Sequence, residues 1–301
     1  MSTLRWALFG RSGLRAGWRL AMFAIAIAAA LVVRSTLLRY TAPILGADWH
    51  DLSRRPSSFL LLREGSIAML ILVATFTMAK IERRSLWSYG LSGTRAFRNV
   101  TMGFISGIVF FSLLVELLVL DNNLAFDGWA LHGAAIIGYA LFWIVFDFMV
   151  GLSEEILFRG YFLQTLARGI GFWPAAICCS VAFGLAHLSN SGEDFIGIAA
   201  IILGGILFSL FLKVTGSLWW GIGFHAALAW VQDFLFGTAN SGQAAPPGHL
   251  LSSLPLGDVR LSGGADGPEG SLIAVILVLV LVALIAAATT LKRRSSQANS
   301  I

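Results

Sequence analysis

The chain has 301 residues, of which 57% are hydrophobic and only 12% are charged. Soluble globular domains carry about twice that charged fraction, so the composition excludes an ordinary soluble enzyme and favours a polytopic membrane protein. The formal net charge of +5 lies mostly in short connections and tails, which is typical of membrane orientation and lipid headgroup contact and argues against nucleic-acid binding.

Eight apolar runs predict membrane-spanning helices, because about 20 apolar residues at 1.5 Å each cross the hydrocarbon core. We therefore expect an all-α fold, a polytopic membrane helical bundle of about eight transmembrane helices. The first run ends near Arg34 instead of a small-residue cleavage site, which favours an uncleaved helix over a signal peptide. Gly103 and Gly107 form a GxxxG pattern in the third run and predict close helix packing. The predicted spans are residues 18–38, 59–79, 100–120, 133–150, 171–189, 195–213, 217–237 and 271–290.

The distribution of basic residues predicts the orientation of the bundle. Lys and Arg cluster in the N-terminal segment, in the connection at 80–99, in residues 159–170 and in the C-terminal tail, although the first connection is basic as well. By the positive-inside rule we expect both termini in the cytoplasm, and the compact, Ala-rich chain suggests a bacterial plasma membrane. Residues 239–270, rich in Gly, Pro and Ser, predict a long, mobile polar loop on the extracytoplasmic side.

The stretch GLSEEILFRGYFL, residues 151–163, places three charges in this apolar chain. An ionisable side chain at the bilayer centre costs roughly 2.5–3.5 kcal/mol, so such groups need a partner or water. Glu155 and Arg159 are four residues apart on one helix face and predict an ion pair. Glu154 is rotated about 100° from Glu155 and is expected to face a polar cavity. The alternative is that all three charges are solvated at the cytoplasmic interface.

Two histidines lie in later apolar runs, His187 in FGLAHLSN and His225 in GIGFHAALAW. A lone histidine in a helix is more often a packing residue, but here two accompany a pair of glutamates. Glu154, His187 and His225 could bind a catalytic zinc that keeps one position open for water. Alternatively, Glu154 could be a general base for water while the histidines stabilise the oxyanion, without a metal. Both arrangements suit hydrolysis of an amide bond.

These segments resemble the CPBP family of CAAX-protease and bacteriocin-processing intramembrane endopeptidases. The family pattern is EExxxR, then FxxxH, then a histidine four residues before Asn or a similar polar residue. The chain has EEILFR at 154–159 and FGLAH at 183–187, followed by His225. The third element departs from the pattern, because Ala229 stands where the polar residue is expected. The resemblance covers roughly residues 130–240.

The resemblance implies a role for each matching residue. Glu154 would activate the attacking water, and His187 and His225 would assist as metal ligands or as polarising donors toward the tetrahedral intermediate. Glu155 and Arg159 would hold the site together. The sequence leaves open whether zinc is bound or whether the reaction proceeds without a metal.

Ala229 puts the activity of the chain in question, because loss of one oxyanion donor typically costs about 10²–10³ in rate. Gln232 and Asp233, seven and eight residues after His225, lie near the same helix face and are candidate replacements. Asn190, three residues after His187, is a third candidate.

The predicted spans also create a conflict of depth. They place Glu154 at the cytoplasmic end of the fourth span and His187 near the far end of the fifth, about 20 Å or more apart at 1.5 Å per residue. A working site therefore requires residues 140–166 to form one long helix with Glu154 in its middle and 129–139 to be separate. Asp147 would then share the face of Glu154 and could line the cavity.

We divide the chain into N-terminal membrane helices (1–128), a CPBP-like catalytic core (129–240) and an extracytoplasmic loop with a C-terminal transmembrane helix (241–301). The predicted function is a metallo- or glutamate-type endopeptidase of the membrane. Its expected partners are lipids and a peptide or protein substrate with a membrane-proximal cleavage site. Two alternatives stay open: an inactive relative that acts as a scaffold or immunity factor, and a proton-coupled transporter, against which stands the lack of an inverted repeat.

Overall fold

The computed structural model of the protein describes residues 9–10, 13–47 and 56–298. Residues 1–8, 11–12, 48–55 and 299–301 lie outside the described residues, and with them much of the basic N-terminal segment and first connection used to predict the orientation. The orientation of the termini stays a prediction.

Helices account for most of the described chain. They are α1 (Ala16–Thr41), α2 (Ser57–Ile81), α3 (Ala96–Leu120), α4 (Ala135–Ile170), α5 (Phe172–His187), α6 (Phe195–Thr215), α7 (Trp219–Trp230, continued by a π-helical segment Val231–Phe236), the short α8 (Val259–Ser262) and α9 (Leu272–Ala298). The strands are β1 (Phe9–Gly10), β2 (Gly13–Leu14), β3 (Leu124–Trp129) and β4 (Leu251–Pro255), and 3₁₀ turns lie at Pro43–Leu45, Leu86–Tyr89 and Pro268–Gly270.

Six of these helices are long and apolar enough to cross a membrane, judged by length and composition within the described residues. They are α1, α2, α3, α4, α6 and the Leu272–Leu291 part of α9. Helices α5 and α7 correspond to the predicted fifth and seventh spans and are shorter. The expected all-α polytopic bundle is confirmed.

Helix α4 is one continuous helix of 36 residues, and Glu154 lies near its middle. The long helix that the site requires is therefore present, although it already begins at Ala135, so residues 135–139 are not separate from it. Directly after Glu155 the helix widens into a π-helical segment, Ile156–Phe162. Such segments are rare and occur frequently at functional sites.

Helix α7 packs most extensively against α3 and next against α4. Its approach to α3 depends on glycine, because a Cβ added at Gly107 would lie only 2.7 Å from the Cβ of Ala227, and one at Gly103 would overlap the Trp220 carbonyl oxygen. The close packing predicted from the GxxxG pattern is confirmed. On the other side of α7, a Cβ at Gly151 of α4 would lie 3.1 Å from the Ile222 carbonyl oxygen. Small residues thus hold α7 between the two helices.

The segment 239–270, expected as a mobile polar loop, contains regular structure. Strand β4 pairs antiparallel with β3, with Leu124 opposite Pro255 and Trp129 opposite Leu251. Helix α8 follows, and its preceding residue, Asp258, caps it by accepting a hydrogen bond from the Arg260 backbone N–H. The expectation of a simple loop is wrong here because the pairing joins chain segments more than a hundred residues apart, which a local pattern does not reveal.

Candidate active site

The Glu155–Arg159 ion pair is buried in the bundle. Arg159 Nη1 donates to Glu155 Oε1 at 2.9 Å, and the two side chains are 0% and 1% exposed. The rings of Phe183 and Phe208 cover the guanidinium, with centroids 4.3 and 5.0 Å from its central carbon. The predicted pairing is confirmed, and for these two charges the alternative of solvation at the interface is wrong.

His225 contacts both glutamates. Its Nδ1 lies 3.4 Å from Glu155 Oε1 and its Nε2 lies 3.7 Å from Glu154 Oε2. Gly151 permits this approach, because a Cβ there would already be 3.4 Å from the His225 Cβ. The ring of Phe208 stacks on the imidazole at 5.1 Å. Glu154 is 28% exposed, so it lies at the boundary between the buried pair and more open space.

His187 ends α5 and lies on the other side of the Phe183 ring. The Phe183 centroid is 4.9 Å from the His187 ring and 6.3 Å from the His225 ring. His187 Nδ1 is 2.8 Å from the Phe183 carbonyl oxygen. A carbonyl oxygen only accepts, so Nδ1 carries a proton and donates to it, and Nε2 is the ring nitrogen left for other contacts. Both histidines line one cavity, so the large separation inferred from ideal spans does not occur.

This cavity has a volume of about 100 Å³ and an apolar wall with a few polar residues. Its polar residues are His187, His225, Gln232, Asn240, Ser241 and Glu269. Ala229 lines it too, at the position where the family has a polar side chain. The sequence reasoning missed Asn240, Ser241 and Glu269, because they lie in a Gly- and Pro-rich stretch without a recognisable motif.

Glu269 fixes the neighbouring polar groups of the cavity. Its Oε1 accepts from the backbone N–H and the hydroxyl of Ser241, at 2.5 and 2.7 Å. Its Oε2 accepts from Gln232 Nε2 at 3.1 Å. Outside the membrane helices, Glu193 and Asp266 crowd around Gly197, where an added Cβ would lie 2.7 Å from Glu193 Oε2 and would overlap Asp266 Oδ2. Glu193, Asp266 and Glu269 thus form a cluster of acidic side chains next to the cavity.

The three candidates for replacing the polar residue missing at position 229 either donate their N–H groups to other residues or do not line the cavity. Both N–H groups of the Gln232 amide have acceptors, Leu228 O at 3.3 Å and Glu269 Oε2 at 3.1 Å, so its amide can offer the cavity only an oxygen. Asp233 accepts from Asn240 Nδ2 at 3.1 Å and lies beside the buried Asp147. Asn190 donates to Ser241 O at 2.7 Å. Neither aspartate nor Asn190 is among the residues lining the cavity.

The predicted metal ligands do not converge in this arrangement. Glu154 and His225 face each other, but within the described part of the chain no three His, Cys, Asp or Glu side chains are grouped so that they could hold an ion. A catalytic zinc normally has three protein ligands. The donor set as arranged does not fit a zinc site of that kind.

The Glu–Glu–Arg stretch thus contacts His225 inside a helical bundle, and His187 lines the same cavity as His225. Residues 136–231 match the family model described as type II CAAX prenyl endopeptidase, Rce1-like. This segment, which runs from α4 into α7, is thus similar to CAAX proteases, the family that its motifs resemble. Searches of curated proteins and of solved structures gave no match.

Proposed function

We propose that the protein is an intramembrane endopeptidase that hydrolyses a peptide bond of a membrane-associated protein or peptide. The observation that carries the proposal is the contact of His225 with both Glu154 and Glu155 next to the cavity. Amide hydrolysis needs a base for water and a stabilised oxyanion, and electrostatic contacts are strong in a site with little water. The CAAX protease family of this segment supports the same reaction.

Glu154 is the general base of the proposed reaction. Its Oε2 makes no hydrogen bond with the described residues, and the side chain is 28% exposed, so the carboxylate can accept a hydrogen bond from a water molecule. The carboxylate takes a proton from that water, and the resulting hydroxide oxygen bonds to the carbonyl carbon of the peptide. The carbonyl oxygen becomes an oxyanion, and breakage of the C–N bond returns the proton to the leaving nitrogen.

Glu155 and Arg159 are positioning residues for His225. Since a carboxylate only accepts, His225 Nδ1–H donates toward Glu155, which fixes the ring orientation. Its Nε2 then faces Glu154 Oε2 across 3.7 Å. Arg159 in turn holds the Glu155 carboxylate through the 2.9 Å ion pair.

His187 is the proposed hydrogen-bond partner of the substrate or of water in the cavity. Its Nε2 is the ring nitrogen available to the cavity, because Nδ1–H donates to the Phe183 carbonyl. We place it as an acceptor for the substrate N–H or for a water molecule. The Phe183 ring makes edge-to-face contacts with both histidine rings and so keeps their spacing.

We propose the glutamate-type mechanism rather than the zinc mechanism. The support is the geometry of the possible ligands: Glu154 Oε2 and His225 Nε2 lie 3.7 Å apart, and His187 Nδ1 faces the Phe183 carbonyl. Every step above uses side chains of this chain. Membrane lipids and a substrate with a membrane-proximal cleavage site are the proposed partners, in a bacterial plasma membrane with both termini in the cytoplasm.

A second candidate function is a catalytically silent relative that acts as a membrane scaffold or immunity factor. The observation that favours it is Ala229, which lines the cavity without a polar atom. The two candidates differ in one measurable property, which is peptide cleavage by the purified protein.

The test uses the full chain, purified and reconstituted into lipid nanodiscs, with a peptide library that includes prenylated and unprenylated C-terminal sequences. We expect the parent to cleave and Glu154→Gln to lower kcat by about 10²–10⁴. His225→Ala should lower kcat as well. Glu116→Gln changes an exposed carboxylate on α3 and is the matched control, which should cleave like the parent.

Cleavage by Glu154→Gln at the parental rate would refute the role of Glu154. A parent that cleaves none of the peptides would favour the silent relative. Activity that disappears on chelation and returns with added zinc would replace the glutamate mechanism with the metal mechanism.

A further inference from the structure

The proposed hydrolysis lacks one component, a hydrogen-bond donor for the oxyanion. The family position for such a group is occupied by Ala229, whose side chain cannot donate. His187 uses its Nδ1–H for the Phe183 carbonyl, and in the proposed reaction its Nε2 accepts a hydrogen bond. A donor must therefore come from another element that reaches the same cavity.

Two of the other polar residues of the cavity are committed elsewhere. Gln232 donates both amide N–H groups to Leu228 O and Glu269 Oε2. Ser241 donates its backbone N–H and its hydroxyl to Glu269 Oε1. Glu269 itself is a carboxylate with three donors and can only accept. These groups organise the cavity wall and leave no N–H or O–H for the substrate.

Asn240 can supply the missing hydrogen-bond donor. It lines the cavity together with His187 and His225, and its Nδ2 donates to Asp233 Oδ1 at 3.1 Å. Because the Asp233 carboxylate accepts, this contact fixes the amide with its nitrogen toward Asp233 and polarises the N–H bonds. An amide nitrogen has two protons, and for the second the described residues show no acceptor.

The backbone holds Asn240 in place. Its N–H donates to the Gln243 carbonyl oxygen and its carbonyl accepts from Gln243 N–H, both at 2.9 Å. Asn190, three residues after His187, donates to Ser241 O at 2.7 Å and ties this turn to the end of α5. The donor is thus held in the wall of the cavity that His187 also lines, and an oxyanion hole requires such preorganisation.

We infer that Asn240 is the oxyanion donor of the proposed hydrolysis and replaces the polar side chain absent at Ala229. The inference rests on the proposed function. As the water oxygen bonds to the carbonyl carbon, the negative charge that develops on the carbonyl oxygen accepts the free Asn240 N–H. Asn240 lies beyond the segment 136–231 that matches the family model, so the donor comes from a different part of the chain.

The test compares kcat and KM of the full chain in nanodiscs for Asn240→Ala with those of Gln243→Ala. Gln243 is the matched control, since it is an exposed amide of the same turn that lies outside the cavity lining. We expect Asn240→Ala to lower kcat about 100- to 1000-fold with KM little changed. Gln243→Ala should leave both constants unchanged. Asn240→Leu, similar in size and without donors, serves as a second variant if alanine destabilises the turn.

A rescue separates a chemical from a structural role. Ala229→Asn added to Asn240→Ala restores the amide at the family position, and we expect it to recover a large part of the lost kcat. Parental kcat in both Asn240 variants, or a loss of kcat that follows a lower unfolding temperature and is not rescued at position 229, would overturn the inference and leave the endopeptidase proposal intact. A parent that cleaves nothing would overturn the proposed function, and the inference with it.

Discussion

Arg159→Met tests the buried ion pair at the base of the site. The substitution keeps an apolar chain of similar length but leaves Glu155, which is 1% exposed, without its 2.9 Å partner. Breaking one side of a buried pair typically costs about 3–5 kcal/mol, because an uncompensated charge remains in the interior. The lost contact with the Phe183 and Phe208 rings adds to this cost. We therefore expect a loss of about 3–5 kcal/mol in the free energy of unfolding.

Removal of both charges should cost less. In the double variant Glu155→Leu with Arg159→Met, no charge is buried, and the main penalty is the unpaired His225 Nδ1–H, about 1–3 kcal/mol. Both variants should be inactive, because His225 loses its orienting partner or that partner loses its counter-charge. Activity alone therefore cannot distinguish the two, and stability can.

The assay is SDS-induced unfolding of the purified protein in mixed micelles, followed by far-UV circular dichroism. Arg98→Met, at an exposed arginine near the start of α3, is the control and should change stability by no more than about 0.5 kcal/mol. The reasoning would be refuted by an Arg159→Met protein within about 1 kcal/mol of the parent, or by a double variant as unstable as the single one.

Two further predictions concern packing and pH. Gly107→Ala should destabilise the protein by about 1–3 kcal/mol in the same SDS assay, because the new Cβ would lie 2.7 Å from that of Ala227, whereas Gly138→Ala meets nothing within 4 Å and should not destabilise it. Burial raises the pKa of Glu193 to about 7 and that of Asp266 to about 8, with the nearby Glu269 as a further cause. Both pKa values exceed that of a carboxyl group in the unfolded chain, which is about 4. The two protonated carboxyl groups therefore contribute to the stability of the folded state at acid pH, and this contribution is lost as the pH rises from about 4 through 7 to 8. The unfolding temperature of the parent should therefore be lower at about pH 9 than at about pH 6, and this difference should be smaller in Asp266→Asn. An equal difference in both proteins would contradict the prediction.

The local part of the site could be predicted from the sequence. The i, i+4 spacing of Glu155 and Arg159 fixes their position on one helix face, and the cost of charge in lipid requires them to pair. The need to bring Glu154 and His187 to one depth likewise required a long fourth helix, which the structure contains. These inferences follow from helix geometry and electrostatics within one or two elements.

The tertiary part could not be predicted in this way. The contact of His225 with both glutamates depends on how closely α7 approaches α4 at Gly151, which no spacing along the chain encodes. The position of Asn240 depends on the fold of the segment that follows α7, where β4 pairs with the distant β3. Because Gly- and Pro-rich composition is also typical of mobile loops, the sequence pattern favoured the wrong interpretation there.

The charges of GLSEEILFRGYFL can be retained in the membrane because each has a different neighbour. Arg159 neutralises Glu155, and Glu155 in turn orients His225, so the residue whose oxygen stays available is Glu154. A base alone does not hydrolyse a peptide bond, since the oxyanion needs a donor in the same cavity. In the proposed mechanism that donor is supplied from outside the family segment, by a turn that Asp233 and Asn190 hold against the ends of α7 and α5. Alanine at position 229 is then compatible with activity, and the turn around Asn240 becomes as necessary to catalysis as the glutamates.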